Sequence, residues 1–257
     1  MKAAGLEYVA RGSGPPVVCL HGIGGSVDSF APQLEGLSGV RVIAVNLPGY
    51  GASDAMEAIT FEAISGRLSA FLAELDIDPV HLIGQSIGGM IALDHALRAP
   101  SEVASLSLIG TTPAFGGRDE SFKEAFLKAR LAPLKKGLSM AEMAHAAAPH
   151  LVGPTASQAV IDAVAAPMAK VSETTWRAIL ECLVTFNRRD DLGRVNAPAC
   201  LIAGSHDQNA PARTMEKMAA KMPNARYHLI EGTGHMIQQE APDETNQILT
   251  EFLKDHS

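Results

Sequence analysis

The sequence predicts an α/β fold: a mostly parallel twisted sheet with helices on both faces and an inserted helical cap. Three observations carry this reading. Short apolar runs alternate with helical stripes along most of the chain, the pattern of strands buried by crossover helices. The alternation stops across residues 113–190, where Ala- and Met-rich helical patterns hold no strand signal, and then resumes. Between a strand pattern and a helix pattern sits Gly84-Gln85-Ser86-Ile87-Gly88, a serine flanked by glycines at a strand-to-helix junction.

The elements follow in order. Residues 6–10 and 17–20 read as strands joined by Gly12-Ser13-Gly14-Pro15-Pro16. Residues 40–45 form a third strand, ended by Asn46-Leu47-Pro48-Gly49-Tyr50-Gly51. Thr60 caps a helix over 61–75, whose Phe61, Ile64, Leu68, Phe71, Leu72 and Leu75 form one apolar stripe. A strand at 80–83, a helix at 87–98 and a strand at 103–109 come next. Within the inserted block, Pro133, Pro149, Pro154 and Pro167 are expected to break the helices, and the last helix, after Ser172, carries Trp176, Ile179, Leu180 and Leu183, with Phe186 following on roughly the same face. Strands at 199–203 and 227–230 and helices at 211–221 and 242–254 complete the pattern. The expected organisation is a core of residues 1–112 and 191–257 with a cap of residues 113–190.

Bulk properties exclude several function classes. The 257 residues can bury a large core, and 47% hydrophobic with 19% charged residues is the balance of a soluble globular protein. A net charge of −7 disfavours nucleic acid and anionic membranes, which attract basic faces. No apolar run approaches the roughly 20 residues that span a bilayer, and residues 1–11 lack the apolar core of a signal peptide. Cys19, Cys182 and Cys200 are expected as buried reduced thiols, which together with the missing leader pattern points to the cytoplasm. His81 and His95 are expected to face solvent or to be satisfied at element edges.

Several loops that follow strands carry polar or Gly-rich sequence, and in an open parallel sheet such loops converge at the carboxyl edge. A serine on a sharp turn presents its hydroxyl above that edge, and Gly84 and Gly88 are there because larger residues would collide. Serine needs a base to take its proton as it attacks. His235, in Gly232-Thr233-Gly234-His235, can serve near neutral pH. Asp207, just past a strand, can hold the imidazole in the useful tautomer, unlike Asp28, Asp54 or Asp94. The loop His21-Gly22-Ile23-Gly24-Gly25 offers the N–H of Ile23, which pairs with that of Ile87 as an oxyanion hole. His21 is expected to brace its loop rather than react. No cluster has metal-ligand spacing, and the Gly-rich loops lack the Lys-Ser/Thr ending of a phosphate cradle, so neither metal nor cofactor is expected.

His21-Gly22, Leu47-Pro48-Gly49-Tyr50-Gly51, residues 84–89, Gly204 with Asp207 and Pro211, and Gly234-His235 with Glu240 and Pro242 resemble the motifs of the α/β-hydrolase superfamily across residues 6–253. Within it, the chain is similar to small bacterial carboxylesterases, 3-oxoadipate enol-lactonases and carbon–carbon-bond (meta-cleavage product) hydrolases. The resemblance implies an α/β-hydrolase fold, a cap and a Ser-Asp-His triad. The expected function is hydrolysis of a small-molecule carboxylic ester or lactone through an acyl-enzyme. Carbon–carbon cleavage of a 1,3-dicarbonyl or dienol substrate is the alternative, and a non-catalytic receptor the more distant one. Nothing in the sequence decides between a monomer and a homodimer.

Overall fold

A computed structural model of the chain describes residues 1–116 and 120–256. The core strands are β1 (Lys2–Ala3), β2 (Leu6–Gly12), β3 (Pro16–Leu20), β4 (Arg41–Val45), β5 (Val80–Gln85), β6 (Val103–Ile109), β7 (Ala199–Gly204) and β8 (Ala225–Ile230). They form one sheet in the order β1-β2-β4-β3-β5-β6-β7-β8. The β1–β2 and β2–β4 pairs are antiparallel, and every pair from β4 to β8 is parallel. The helices of the core are α1 (Ala31–Gly36), α2 (Phe61–Glu74) and α3 (Ile87–Arg98).

Parallel strands need cover on both faces, and the pleat sends alternate side chains to opposite sides. Val18, Leu82 and Leu201 therefore join one buried cluster with Leu68, Phe71 and Ile91 of α2 and α3. Their neighbours Cys19, Ile83 and Ile202 join a second cluster with Phe30, Leu249 and Phe252. All six residues of β5 are buried, which places the serine turn at the end of a central strand. Thr60 caps α2 by accepting the Ala63 N–H, as its sequence pattern requires.

Between β6 and β7 the described residues form α4 (Glu120–Lys135), α5 (Met140–Ala147), α6 (Gln158–Met168) and α7 (Glu173–Leu183). Two prolines act differently from the sequence expectation. Pro133 and Pro167 lie inside α4 and α6, each within the last turn, so they mark where the helix stops rather than splitting it. The chain segments leading into and out of this block pair with each other. Phe115 N–H donates to the Phe186 carbonyl at 2.9 Å and Arg188 N–H to the Pro113 carbonyl at 2.8 Å. The Arg188 guanidinium then reaches buried Asp94 of α3 at 2.6 Å, and Arg98 holds the other oxygen of the same carboxylate at 2.6 Å.

The remaining helices are α8 (Ala212–Ala219), α9 (Ile237–Glu240) and α10 (Pro242–Lys254). The short β1, α1 and α9 have no counterpart in the sequence reading, because two, six and four residues are too few to show a period. His81 and His95 are buried and hydrogen-bonded rather than facing solvent, His81 as the second residue of β5 and His95 in the last turn of α3. His81 Nδ1 pairs with Ser105 Oγ at 2.8 Å, and His95 Nδ1 with Ser65 Oγ at 2.9 Å. Cys19, Cys182 and Cys200 are free and buried. No helix of the described residues is long and apolar enough to cross a membrane.

Candidate active site

The loops after β3, β5, β7 and β8 bring the sequence-predicted residues together at the carboxyl edge of the parallel sheet. Ser86 connects β5 to α3 with φ 55° and ψ −121°. That ψ lies far from the left-handed helical well, so the serine is held in a strained conformation of the kind found at functional turns. A Cβ on Gly88 would overlap the Leu20 carbonyl oxygen, and one on Gly84 would overlap the Gly88 carbonyl oxygen. The two glycines are thus what allow the elbow to pack. Ser86 makes no side-chain cap to α3, unlike an ordinary N-cap serine, and its Oγ meets His235 instead.

Ser86 Oγ lies 3.0 Å from His235 Nε2, and His235 Nδ1 lies 2.8 Å from Asp207 Oδ2. The other carboxylate oxygen of Asp207 accepts the N–H groups of Asn209 at 2.8 Å and Ala210 at 2.9 Å. Burial alone raises the Asp207 pKa. The adjacent His235, through charge and hydrogen bond, and these two backbone donors together outweigh it and hold the carboxyl below its ordinary value. An ionised Asp207 can only accept, so the proton of His235 sits on Nδ1 and Nε2 is left to accept the serine hydroxyl.

His21 is completely buried, and its neighbours fix its role. Its Nε2 accepts the Leu47 N–H at 3.0 Å, which requires the neutral Nδ1–H tautomer, and Nδ1 donates to the Gly22 carbonyl at 2.7 Å. Burial pushes its pKa down to about 4, against the smaller pull of the Gly22 carbonyl. The ring therefore braces the loop that carries Ile23. Ile23 is held a second time, through the Tyr50 hydroxyl on its carbonyl at 2.6 Å. The Gly25 N–H closes a turn onto the Gly22 carbonyl at 2.9 Å. Ile87 is the first residue of α3, so its N–H has no helical acceptor of its own.

Sequence reasoning missed the residues that hold this constellation still. Gln85 Nε2 donates to the His235 carbonyl at 3.0 Å, and Thr111 Oγ1 to the Ser86 carbonyl at 2.7 Å. Glu240, seen in the sequence only as part of a motif, accepts from Gly234 N–H at 3.0 Å, Met236 N–H at 3.1 Å and Gly153 N–H at 2.6 Å. The His235 N–H itself donates to the Leu151 carbonyl at 2.7 Å. The histidine loop is thereby tied to the segment between α5 and α6.

Above Ser86 and His235 opens a cavity of about 830 Å3, walled mainly by apolar side chains such as Phe126, Met143, Met168, Trp176 and Leu183. Among the described residues no group of His, Cys, Asp and Glu is placed to hold a metal ion.

Comparison with known proteins fits this geometry. Residues 15–242 match the family described as "alpha/beta hydrolase fold". The chain belongs to the α/β-hydrolase family. It is 32% identical over 249 residues to the dihydrolipoyllysine-residue acetyltransferase component of an acetoin cleaving system from Pseudomonas putida. That alignment covers 95% of this chain and 64% of the relative, so the chain spans less than two thirds of that protein's length. It is also 32% identical over 254 residues to a pimeloyl-[acyl-carrier protein] methyl ester esterase from Aromatoleum aromaticum, with 93% of this chain and 98% of the relative covered. A thermophilic esterase from Thermogutta terrifontis shares the hydrolase fold at a TM-score of 0.90 and 24% identity, over 98% of this chain and 94% of that one.

Proposed function

We propose that this α/β-hydrolase cleaves a small-molecule carboxylic ester or lactone through an acyl-enzyme on Ser86. The observation that carries the reading is the unbroken line from Asp207 through His235 to a strained, uncapped Ser86 at the floor of a cavity. In this reading Ser86 Oγ attacks the carbonyl carbon while its proton passes to His235 Nε2. Asp207 stabilises the imidazolium, and the N–H groups of Ile23 and Ile87 receive the charge that develops on the carbonyl oxygen. The alcohol leaves with the proton from His235. A water, deprotonated by the same nitrogen, then releases the acid. Every role is filled by protein groups, so the reaction needs no cofactor.

Residues 113–190 act as a cap that closes the cavity and shapes the acyl site without taking part in bond breaking. Their docking supports this: Thr175 Oγ1 donates to the Gly49 carbonyl at 3.0 Å, and the Met168 side chain lies against Gly24 beside Ile23. The relatives named as esterases favour an ester over other acyl compounds. The test is a panel of p-nitrophenyl esters, small lactones and a vinylogous 1,3-dicarbonyl ring-fission product. Ester or lactone turnover well above that of the dicarbonyl is the expected result. Turnover of the dicarbonyl alone would reassign the chain to carbon–carbon bond cleavage, and tight binding without any turnover would make it a receptor.

A further inference from the structure

The cavity is lined mainly by apolar and neutral polar residues, and its charge is unbalanced. Its lining among the described residues includes the guanidinium side chains of Arg130, from α4, and Arg189, from the segment after α7, but no Asp, Glu or Lys. Neither arginine forms an ion pair with a described carboxylate. Arg130 lies over the Phe126 ring at 5.2 Å, and Arg189 spends one donor on the Gly116 carbonyl at 3.1 Å. Guanidinium carries five donors in a planar fork, so most of that capacity is unspent here. Burial lowers the Arg130 pKa, the mark of a cation that has given up water without gaining a counter-charge. Trp176 lines the same cavity, and its buried indole N–H has no partner among the described residues. In a protein of net charge −7, two cations in an apolar chamber form a local site for an anion.

We infer that the substrate is an acidic ester, a half-ester of a dicarboxylic acid or a lactone bearing a free carboxylate, whose carboxylate is received by Arg130 and Arg189 while its ester carbonyl lies at Ser86. This rests on the reading of Ser86 as an ester-cleaving nucleophile and adds the charge of the substrate to it. A cavity of about 830 Å3 has room for both ends of such a molecule. Carboxylate is the group a guanidinium fork matches with two parallel charge-assisted hydrogen bonds. The free acid stays ionised throughout, and only the ester bond changes.

The test compares kcat/KM for monomethyl esters of linear dicarboxylic acids with that for methyl esters of monocarboxylic acids of equal chain length. Wild-type protein should prefer the half-ester at some chain length, and Arg130→Gln should reduce that preference about 10- to 100-fold, the scale of charge-assisted bonds to one guanidinium. Arg130→Lys should restore part of it, and Arg189→Gln provides a second, independent loss. Circular dichroism checks that each variant is folded. A wild-type preference for the neutral ester, or a ratio unchanged in both Gln variants, overturns the inference while ester hydrolysis stands. If neither ester is turned over, the ester reading fails by itself. Calorimetric titration of Ser86→Ala with adipate then decides the anion site: binding weakened by Arg130→Gln supports it, and no binding overturns it.

Discussion

Ser86, Asp207 and His235 each sit shortly beyond the end of a parallel strand, and for that reason all three are legible in the sequence as residues of one candidate site. Replacing Ser86 with Ala should lower kcat by roughly 10⁵–10⁶-fold, as triad knockouts do, with the melting temperature little changed. Asp207→Asn should cost far more activity than Asp28→Asn, Asp54→Asn or Asp94→Asn. Asp94→Asn carries a signature of its own: because Asp94 holds both Arg98 and Arg188, it should lower Tm while sparing the chemical step. Near-wild-type kcat/KM in Asp207→Asn would contradict the assignment. The role of His21 is legible in the sequence only in outline, since its two ring contacts lie on separate loops. They make a pH prediction. The folded His21 resists protonation down to about pH 4, whereas the unfolded chain takes the proton up near 6.5. Stability should be full above pH 6.5 and fall by about 3 kcal/mol as pH drops through that window to 4. Buried His81 and His95, also lowered by desolvation, act in the same direction. Asp207 has a depressed pKa, so its contribution is lost only at lower pH, as its carboxyl is protonated. Urea midpoints measured from pH 7 to 4 should decline, and a flat profile would contradict the burial of these rings.

At the scale of elements, α9 is the part that sequence can least reveal. It is four residues long, yet its last residue, Glu240, organises the His235 loop and reaches Gly153 in the segment leading to α6. Glu240→Gln keeps the shape but turns one acceptor oxygen into an amide. It should reduce kcat more than it raises KM, because what it disturbs is the position of the histidine rather than substrate contacts. Equal activity with an unchanged pH profile would show that the loop holds itself. The helices α4–α7 should divide differently. Met143→Ala and Leu183→Ala enlarge the cavity wall and should shift KM and acyl-chain preference more than kcat for the best ester. Loss of turnover for every ester with binding intact would place a catalytic group among these helices. Helix boundaries in this block are hard to read from sequence because of where its prolines fall. Proline forfeits its N–H bond and crowds the carbonyl four residues back, but neither effect fixes which nearby residue ends the helix, and α4 and α6 run on two residues and one residue beyond Pro133 and Pro167.

Across the whole molecule, the parallel sheet is legible because its strands are largely apolar and separated by helical stripes, a pattern that local sequence carries in full. The strand order, the pairing of residues 113–115 with 186–188, and the cationic side chains facing one chamber are not legible, since each depends on residues far apart in the chain meeting in space. The fold positions Ile23, Ser86, Asp207 and His235 at one edge of that sheet, where the proposed reaction passes through a covalent acyl-enzyme on Ser86. Intact-protein and peptide mass spectrometry after reaction with a fluorophosphonate locates the nucleophile. A single adduct is expected on the peptide containing Ser86, formed by the wild type and absent from Ser86→Ala. Undiminished labelling of Ser86→Ala, or an adduct on any other residue, would contradict Ser86 as that nucleophile.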